Sequence, residues 1–177
     1  MQDFSRVLEA WAPFFTTLTL ACATLAGLLF VALSLHAGAL RSEENINLRR
    51  LSNHTFGDFV TIMFIGLFFI APWTQAAWPA IGAFITTIIA FVYTGRDAWE
   101  LFRSHDSHEH HRYLRAHLRL RTLALLLMLL GAIELWSSWV IVNGKNPGLT
   151  LIFAGTVILL VSAMKNTWYL LAHELRK

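Results

Sequence analysis

The sequence predicts an all-α integral membrane protein, a bundle of about five transmembrane helices with the N-terminus outside and the C-terminus in the cytoplasm. Three observations carry that expectation. The 177 residues are 56% hydrophobic and only 14% charged, against roughly 25% charged in average soluble domains. The apolar residues fall in runs that meet the roughly 20 residues, at about 1.5 Å rise each, that a spanning helix needs. Lysine and arginine gather beside alternate ends of those runs, as they do in cytoplasmic loops.

The elements follow in order within one membrane domain, residues 1–177. The first span is expected over 12–40, an uncharged run broken only by hydroxyls, small residues and His36. The chain is again uncharged from 59 to 95, too long for one helix at 1.5 Å per residue. Pro72, Trp73, Trp78 and Pro79 divide this stretch, because proline breaks helices and tryptophan favours the membrane interface. A tight helical hairpin results, with arms at 58–73 and 77–97; a re-entrant hairpin that fails to cross is the alternative. A fourth span is expected over 121–142, and a fifth over 147–172, opened by Pro147 as a favourable first-turn residue. Stretches 41–55 and 98–120 are left as cytoplasmic loops or helical extensions.

Ahead of the first span, Asp3 and Glu9 flank Arg6, and the apolar run is longer than a signal-peptide core, so a cleaved signal is not expected. Phe4, Val7, Leu8 and Trp11 recur at helical spacing. Residues 1–11 therefore read either as an interfacial helix or as the first turns of the span.

Charge sets the orientation. Arg41, Arg49, Arg50, Arg96, Arg103, Arg112, Arg115, Arg119, Arg121, Lys165, Arg176 and Lys177 share one side, leaving only Arg6 and Lys145 of the 14 basic residues on the other. The positive-inside rule makes the rich side cytoplasmic. Trp11, Trp73, Trp78 and Trp139 then fall at the outer interface, and Trp99, Trp168 and Tyr169 at the inner one. The inner (plasma) membrane of a bacterium is the expected location.

Polar residues inside apolar runs are the candidate functional groups. Glu134 is the one charge in the run 122–142, and a carboxyl in hydrocarbon must be paired, hydrated, hydrogen-bonded or protonated. Counting 1.5 Å per residue from the outer ends places Glu134 about 13 Å deep, level with Thr19, Thr86, Thr87 and Thr156. That is an expected intramembrane polar layer, serving either proton or ion passage or the joining of helices by hydrogen bonds. Asp58 and Lys165 both count to the inner interface and are expected to form an ion pair there. Cys22, the only cysteine, lies inside an apolar run, which excludes an intrachain disulfide and CxxC chemistry.

All eight histidines fall on the inner half. His105, His108, His110 and His111, with Asp106 and Glu109, make a nitrogen and oxygen cluster able to take a divalent metal such as Zn²⁺. The tract lacks the defined spacing of structural zinc sites, so solubility and pH sensing compete with metal binding. His36, His54, His117 and His173 share a depth at which paired histidines ligate haem in other bundles, although nothing in the sequence makes them face one another; no cofactor is expected. Arg112, Arg115 and Arg119 recur at helical steps and suit anionic lipid headgroups. Nucleic acid is not an expected partner, since no broad basic surface with stacking aromatics is present.

Small residues permit close helix approach: Ala23 and Gly27 are four apart in the first span, and Gly131 lies in the fourth. Thr17, Ala21 and Thr24 add a mildly polar face. There is no HExxH, no nucleotide-binding glycine loop and no GxSxG, and no set of spaced histidine boxes; an enzyme is not expected. A homo-oligomeric ion- or proton-conducting, channel-like protein with Glu134 in the membrane core is the leading expectation. The alternative is a non-conducting scaffold or accessory subunit that binds a membrane protein partner through its cytoplasmic loops. A small transporter is disfavoured by the lack of an inverted repeat.

Overall fold

A computed structural model describes residues 2–35, 46–73, 75, 77–103, 109–137 and 146–174 of the chain, with side chains outside the description at 2–5, 46–48, 100–102, 109–115 and 173–174. The described residues are all-helical. Five helices follow in order: α1 Gln2–Leu35, α2 Ile46–Ile70, α3 Ala77–Arg103, α4 Glu109–Ser137 and α5 Pro147–Glu174. Four of them, α1, α2, α3 and α5, carry stretches long and apolar enough to cross a membrane. In α4 the described apolar part is shortened by Arg121 within it, and the rest of the expected span, 138–142, lies outside the described residues.

The exterior and interior are distributed as a bilayer requires. Leu20 is 65% exposed and Val92 62%, while Asp58 is 0% and Arg121 3% exposed. A soluble protein places large aliphatics inside and charges outside; here large aliphatics face outward while Asp58 and Arg121 point into the bundle, as in membrane proteins,. The protein is a membrane-embedded helical bundle.

Helix packing closes a ring. α2 packs on α3, α3 on α4, α4 on α5 and α5 on α2, while α1 packs along the outside of α2. Neighbours run antiparallel: Phe15 of α1 stacks on Phe69 of α2 at 4.6 Å, Gly82 of α3 meets Phe68 of α2, and Gly155 of α5 meets Ala124 and Met128 of α4. The bundle therefore has a hairpin end, holding the α2–α3 turn and the start of α5, and a basic end, holding the start of α2 and the end of α3.

The turn forms as proline and tryptophan dictate. α2 stops at Ile70 before Pro72, the Trp73 indole donates to the Phe68 carbonyl at 2.8 Å, and Trp73 stacks on Trp78 with ring centroids 5.9 Å apart. Each arm is long enough to cross fully. α5 opens on a built N-cap: the Leu149 amide donates to Asn146 Oδ1 at 3.2 Å, with Pro147 in the first helical position,. Helices start earlier than the hydropathy runs suggest. α2 begins at Ile46, α3 runs to Arg103 and α4 begins at Glu109, so the described parts of the 41–55 and 98–120 stretches are helical extensions of the spans. Residues 2–11 continue α1 without a break, with Leu8 buried and Trp11 against Phe153 of α5 at 5.6 Å. The described part of 1–11 is thus packed on the bundle as the first turns of the span.

The α4–α5 seam depends on glycine. A Cβ on Gly131 would lie 2.7 Å from the Gly148 carbonyl, one on Gly148 would lie 2.7 Å from the Gly131 carbonyl, and one on Gly155 would lie 2.7 Å from the Ala124 carbonyl. Backbones this close leave no room for side chains, the packing that small residues permit where lipid supplies no hydrophobic drive between helices. Gly155→Leu should accordingly cost about 2 kcal/mol or more by overpacking. Gly27→Leu, with nothing within 4 Å of its Cβ, should leave stability unchanged; unfolding titrations in detergent micelles compare the two.

Candidate functional site

Three helices each contribute a polar pair at i, i+4, which puts both members on one helical face. α2 supplies His54 and Asp58, α4 supplies His117 and Arg121, and α5 supplies Ser162 and Asn166. All six side chains are buried. They converge inside the ring, and α3 adds Asp97 from the basic end.

Arg121 is the centre of this cluster. It reaches from α4 across the ring to α2, where its Nε lies 2.9 Å from Asp58 Oδ1. The contact is an ion pair without a well-aligned hydrogen bond, since among the described residues neither Asp58 oxygen nor Arg121 Nε has a hydrogen-bond partner. Arg121 Nη1 donates to His54 Nδ1. The other ring nitrogen of His54, Nε2, lies 2.8 Å from Asp97 Oδ2. With Nδ1 accepting from an arginine, which has donors only, the His54 proton belongs on Nε2 and is given to Asp97. A continuous file results: Asp97, His54, Arg121, Asp58. Beside it, His117 Nδ1 lies 2.9 Å from Ser162 Oγ and 2.9 Å from the Asn166 amide nitrogen, tying α4 to α5 at the same level.

Depth follows from helical rise. Asp58 precedes Ile70 by twelve residues, about 18 Å, and Arg121 stands opposite the Leu159 region of α5, again about 18 Å from that helix's start. The pair is therefore well inside a hydrocarbon core of about 30 Å. His54 lies about 24 Å and Asp97 about 30 Å from the hairpin end by the same rise. The file enters from the basic end and stops about 18 Å short of the hairpin end by helical rise. Beyond it, Phe15, Ile62, Ile65, Phe69, Leu125, Met128, Leu149 and Ile152 are fully buried and fill the hairpin-end half.

The cation for Asp58 is thus Arg121 and not Lys165, which is exposed on α5. The expected Asp58–Lys165 pair does not form, because the α5 face turned into the ring carries Ser162 and Asn166 while Lys165 points outward. Glu134 is also set differently. Gly131 abuts Gly148, and Leu135 N lies 2.8 Å from a Gly148 Cβ, so Glu134 is level with the α5 N-cap at the hairpin end. It is half-buried there, and among the described residues its carboxylate makes no hydrogen bond or ion pair. Thr156 is about ten residues deeper on the antiparallel register, about 15 Å away. The expected layer does not assemble: Thr86 and Thr156 bond back to the Gly82 and Phe153 carbonyls of their own helices at 2.7 and 2.8 Å, Thr19 packs on Gly66 of α2, and Thr87 is buried in α3.

Of the histidine cluster, His105 and His108 lie outside the described residues, and the side chains of His110 and His111 do as well. Arg119 is exposed, and the side chains of Arg112 and Arg115 lie outside the description. Among the four haem candidates, His36 and the His173 side chain fall outside the described residues, while His54 and His117 approach with ring centroids 6.2 Å apart. Their nitrogens are turned to Asp97, Arg121, Ser162 and Asn166, which leaves no opposed pair facing a common iron. Among the described residues no group of three or more metal-ligating side chains gathers.

Sequence reasoning counted Arg121 among the loop charges and so missed the residue that organises the site. The signal was present: Arg121 shares a helical stripe with His117, Ala124, Leu125 and Met128, so a charge stood on an apolar face. Comparison with known protein families, curated proteins and solved structures finds no match to this chain. Its class is that of a multi-pass helical membrane protein with a buried charged file, and its function rests on that geometry.

Removing one member of a buried ion pair leaves the other charge uncompensated and costs about 3–5 kcal/mol, whereas an apolar pair of similar volume restores most of it. Arg121→Met and Asp58→Leu should each destabilise by that amount and the double variant should recover to within about 1 kcal/mol. Lys165→Ala should change stability by less than about 0.5 kcal/mol. Unfolding curves of all four variants in one detergent provide the check.

Proposed function

We propose that this is an ion- or proton-handling protein of a bacterial inner membrane, in which the Asp58–Arg121 pair is the switchable element. The observation that carries the reading is the polar file from Asp97 to Asp58, ending at a fully buried carboxylate that has no hydrogen-bond partner among the described residues. Ionisable groups at this depth are retained for pathways and relays more often than for stability. Arginine does not give up its proton, so Arg121 is a fixed counter-charge. Passage would require it to swing from Asp58, letting a proton or cation arriving by way of Asp97 and His54 take its place. The basic end would face the cytoplasm by the positive-inside rule.

Among the described residues the hairpin-end half is filled by large buried side chains, so a route across would form by opening of that half or along a seam between copies. The outward Ala23 and Gly27 of α1 offer a flat surface for such a homo-oligomer,. Glu134, at the hairpin end, then marks the far mouth of the route and not its midpoint. That same solid packing favours a second reading, a non-conducting accessory subunit that uses the ion pair only to fix its fold. Metal binding at the histidine-rich tract would be an addition to either reading.

Two measurements test the proposal. In proteoliposomes carrying an internal pH dye and a potassium diffusion potential, the wild type should pass protons or a monovalent cation. Asp58→Asn should lower the flux about 100-fold, the scale of a lost proton-transfer group; no flux above empty liposomes in the folded wild type would leave the accessory reading. For orientation, a cysteine replacing Arg6 should react with an impermeant maleimide in intact cells and one replacing Arg103 only after permeabilisation. Native Cys22 is fully buried and should stay silent.

A further inference from the structure

A groove of about 740 Å³ runs along the outside of the α2–α3 seam, within the size range of sites for small ligands. Its α2 wall steps from Asn53 to Phe68 along one helical face, about 22 Å by helical rise. The lining is graded. At the basic end it carries Asn53, Arg96 and Asp97; toward the hairpin end it becomes Phe64, Ile89 and Phe68. Asn53, Phe64, Ile89 and Arg96 are exposed, so the groove opens sideways to what surrounds the bundle, which in a membrane is lipid.

The charge at its polar end selects the occupant. Arg96 follows Ala77 by nineteen residues, about 28 Å by rise, which puts its guanidinium at the far edge of a hydrocarbon core of about 30 Å. Among the described residues Arg96 makes no ion pair or hydrogen bond, whereas its neighbour Asp97 is engaged by His54. Behind the groove floor, α2 has Gly57, and a Cβ there would lie 3.7 Å from Arg121 Nη2. The missing side chain opens the floor toward a second guanidinium. A polar end with Arg96 at headgroup depth and a second arginine, Arg121, deeper behind the floor, continuous with an apolar trough running into the core, matches a molecule with an anionic head and a hydrocarbon tail.

We propose that the α2–α3 groove is a lateral binding site for one anionic phospholipid, its phosphate on Arg96 and one acyl chain lying along Val60, Phe64 and Ile89. The proposal does not depend on the ion-handling reading, although His54, Asp97 and Arg121 line the same groove. An occupant there would lie against the Gly57 window beside Arg121, so lipid composition would be felt by the Asp58–Arg121 pair.

Native mass spectrometry of the full chain, released from detergent after titration with phosphatidylglycerol or phosphatidylcholine, tests the proposal. The wild type should retain one phosphatidylglycerol per chain in preference to phosphatidylcholine by about fivefold, the effect of about one basic contact. Arg96→Ala, at an exposed position, should bring that preference close to one without altering the unfolding curve. Ala90→Phe, which fills the trough from α3, should reduce retention of both lipids. Equal retention of the two lipids by the wild type, an unchanged preference in Arg96→Ala, or stronger retention of oleate than of phosphatidylglycerol would each overturn it. If Ala90→Phe does not fold, Arg96→Ala decides alone.

Discussion

The rest of the structure is arranged around the cost of a charge in hydrocarbon. Arg121 and Asp58 lie well inside the apolar slab, and neither could stand there alone. Each therefore fixes the other: α4 must present Arg121 inward, α2 must present Asp58 opposite, and the ring must be narrow enough for one guanidinium to cross it. His54 and Asp97 extend the same requirement to α3, and Ser162 and Asn166 extend it to α5 through His117. One ion pair thus specifies the rotation of four helices about their axes, which uniform aliphatic faces would specify far less strictly.

Glycine supplies the second constraint, on height. The α4–α5 seam brings backbones into contact at Gly131, Gly148 and Gly155, and such contacts tolerate only one sliding position of the two helices. That position puts Glu134 beside the Asn146 cap and Arg121 at mid-membrane. Hydropathy had suggested the reverse, with Glu134 deep and Arg121 at the loop. A run of apolar residues gives the length of a span but not where it is seated, because lipid is as content with leucine at one depth as at another.

The two halves of the bundle differ in a way that bears on function. The basic-end half holds a polar file and, alongside it, a groove graded from polar to apolar; among the described residues the hairpin-end half is filled by large buried side chains such as Phe15, Phe69 and Ile152. Under the proposed function this arrangement would hold a charge in waiting, and contacts at the basic end would set what moves it.

By itself the sequence determined the all-helical class, the membrane setting and the hairpin, because chain-local chemistry decides them: apolar run length, the breaking of helices by Pro72 and the interface preference of Trp73 and Trp78. It also determined the α5 start, through Pro147. Only the tertiary structure decided which polar residues meet. Asp58 could count to the same depth as Lys165, yet depth is one coordinate, and facing is set by the helix rotation that buries Arg121 and turns Lys165 outward. The threonines expected at the level of Glu134 failed to gather for a related reason: Thr86 and Thr156 found carbonyl partners one turn back in their own helices, Thr19 packed against Gly66, and Thr87 was buried within α3. Pairing across helices needs register and rotation together, and both are properties of packed surfaces that no single run of residues contains.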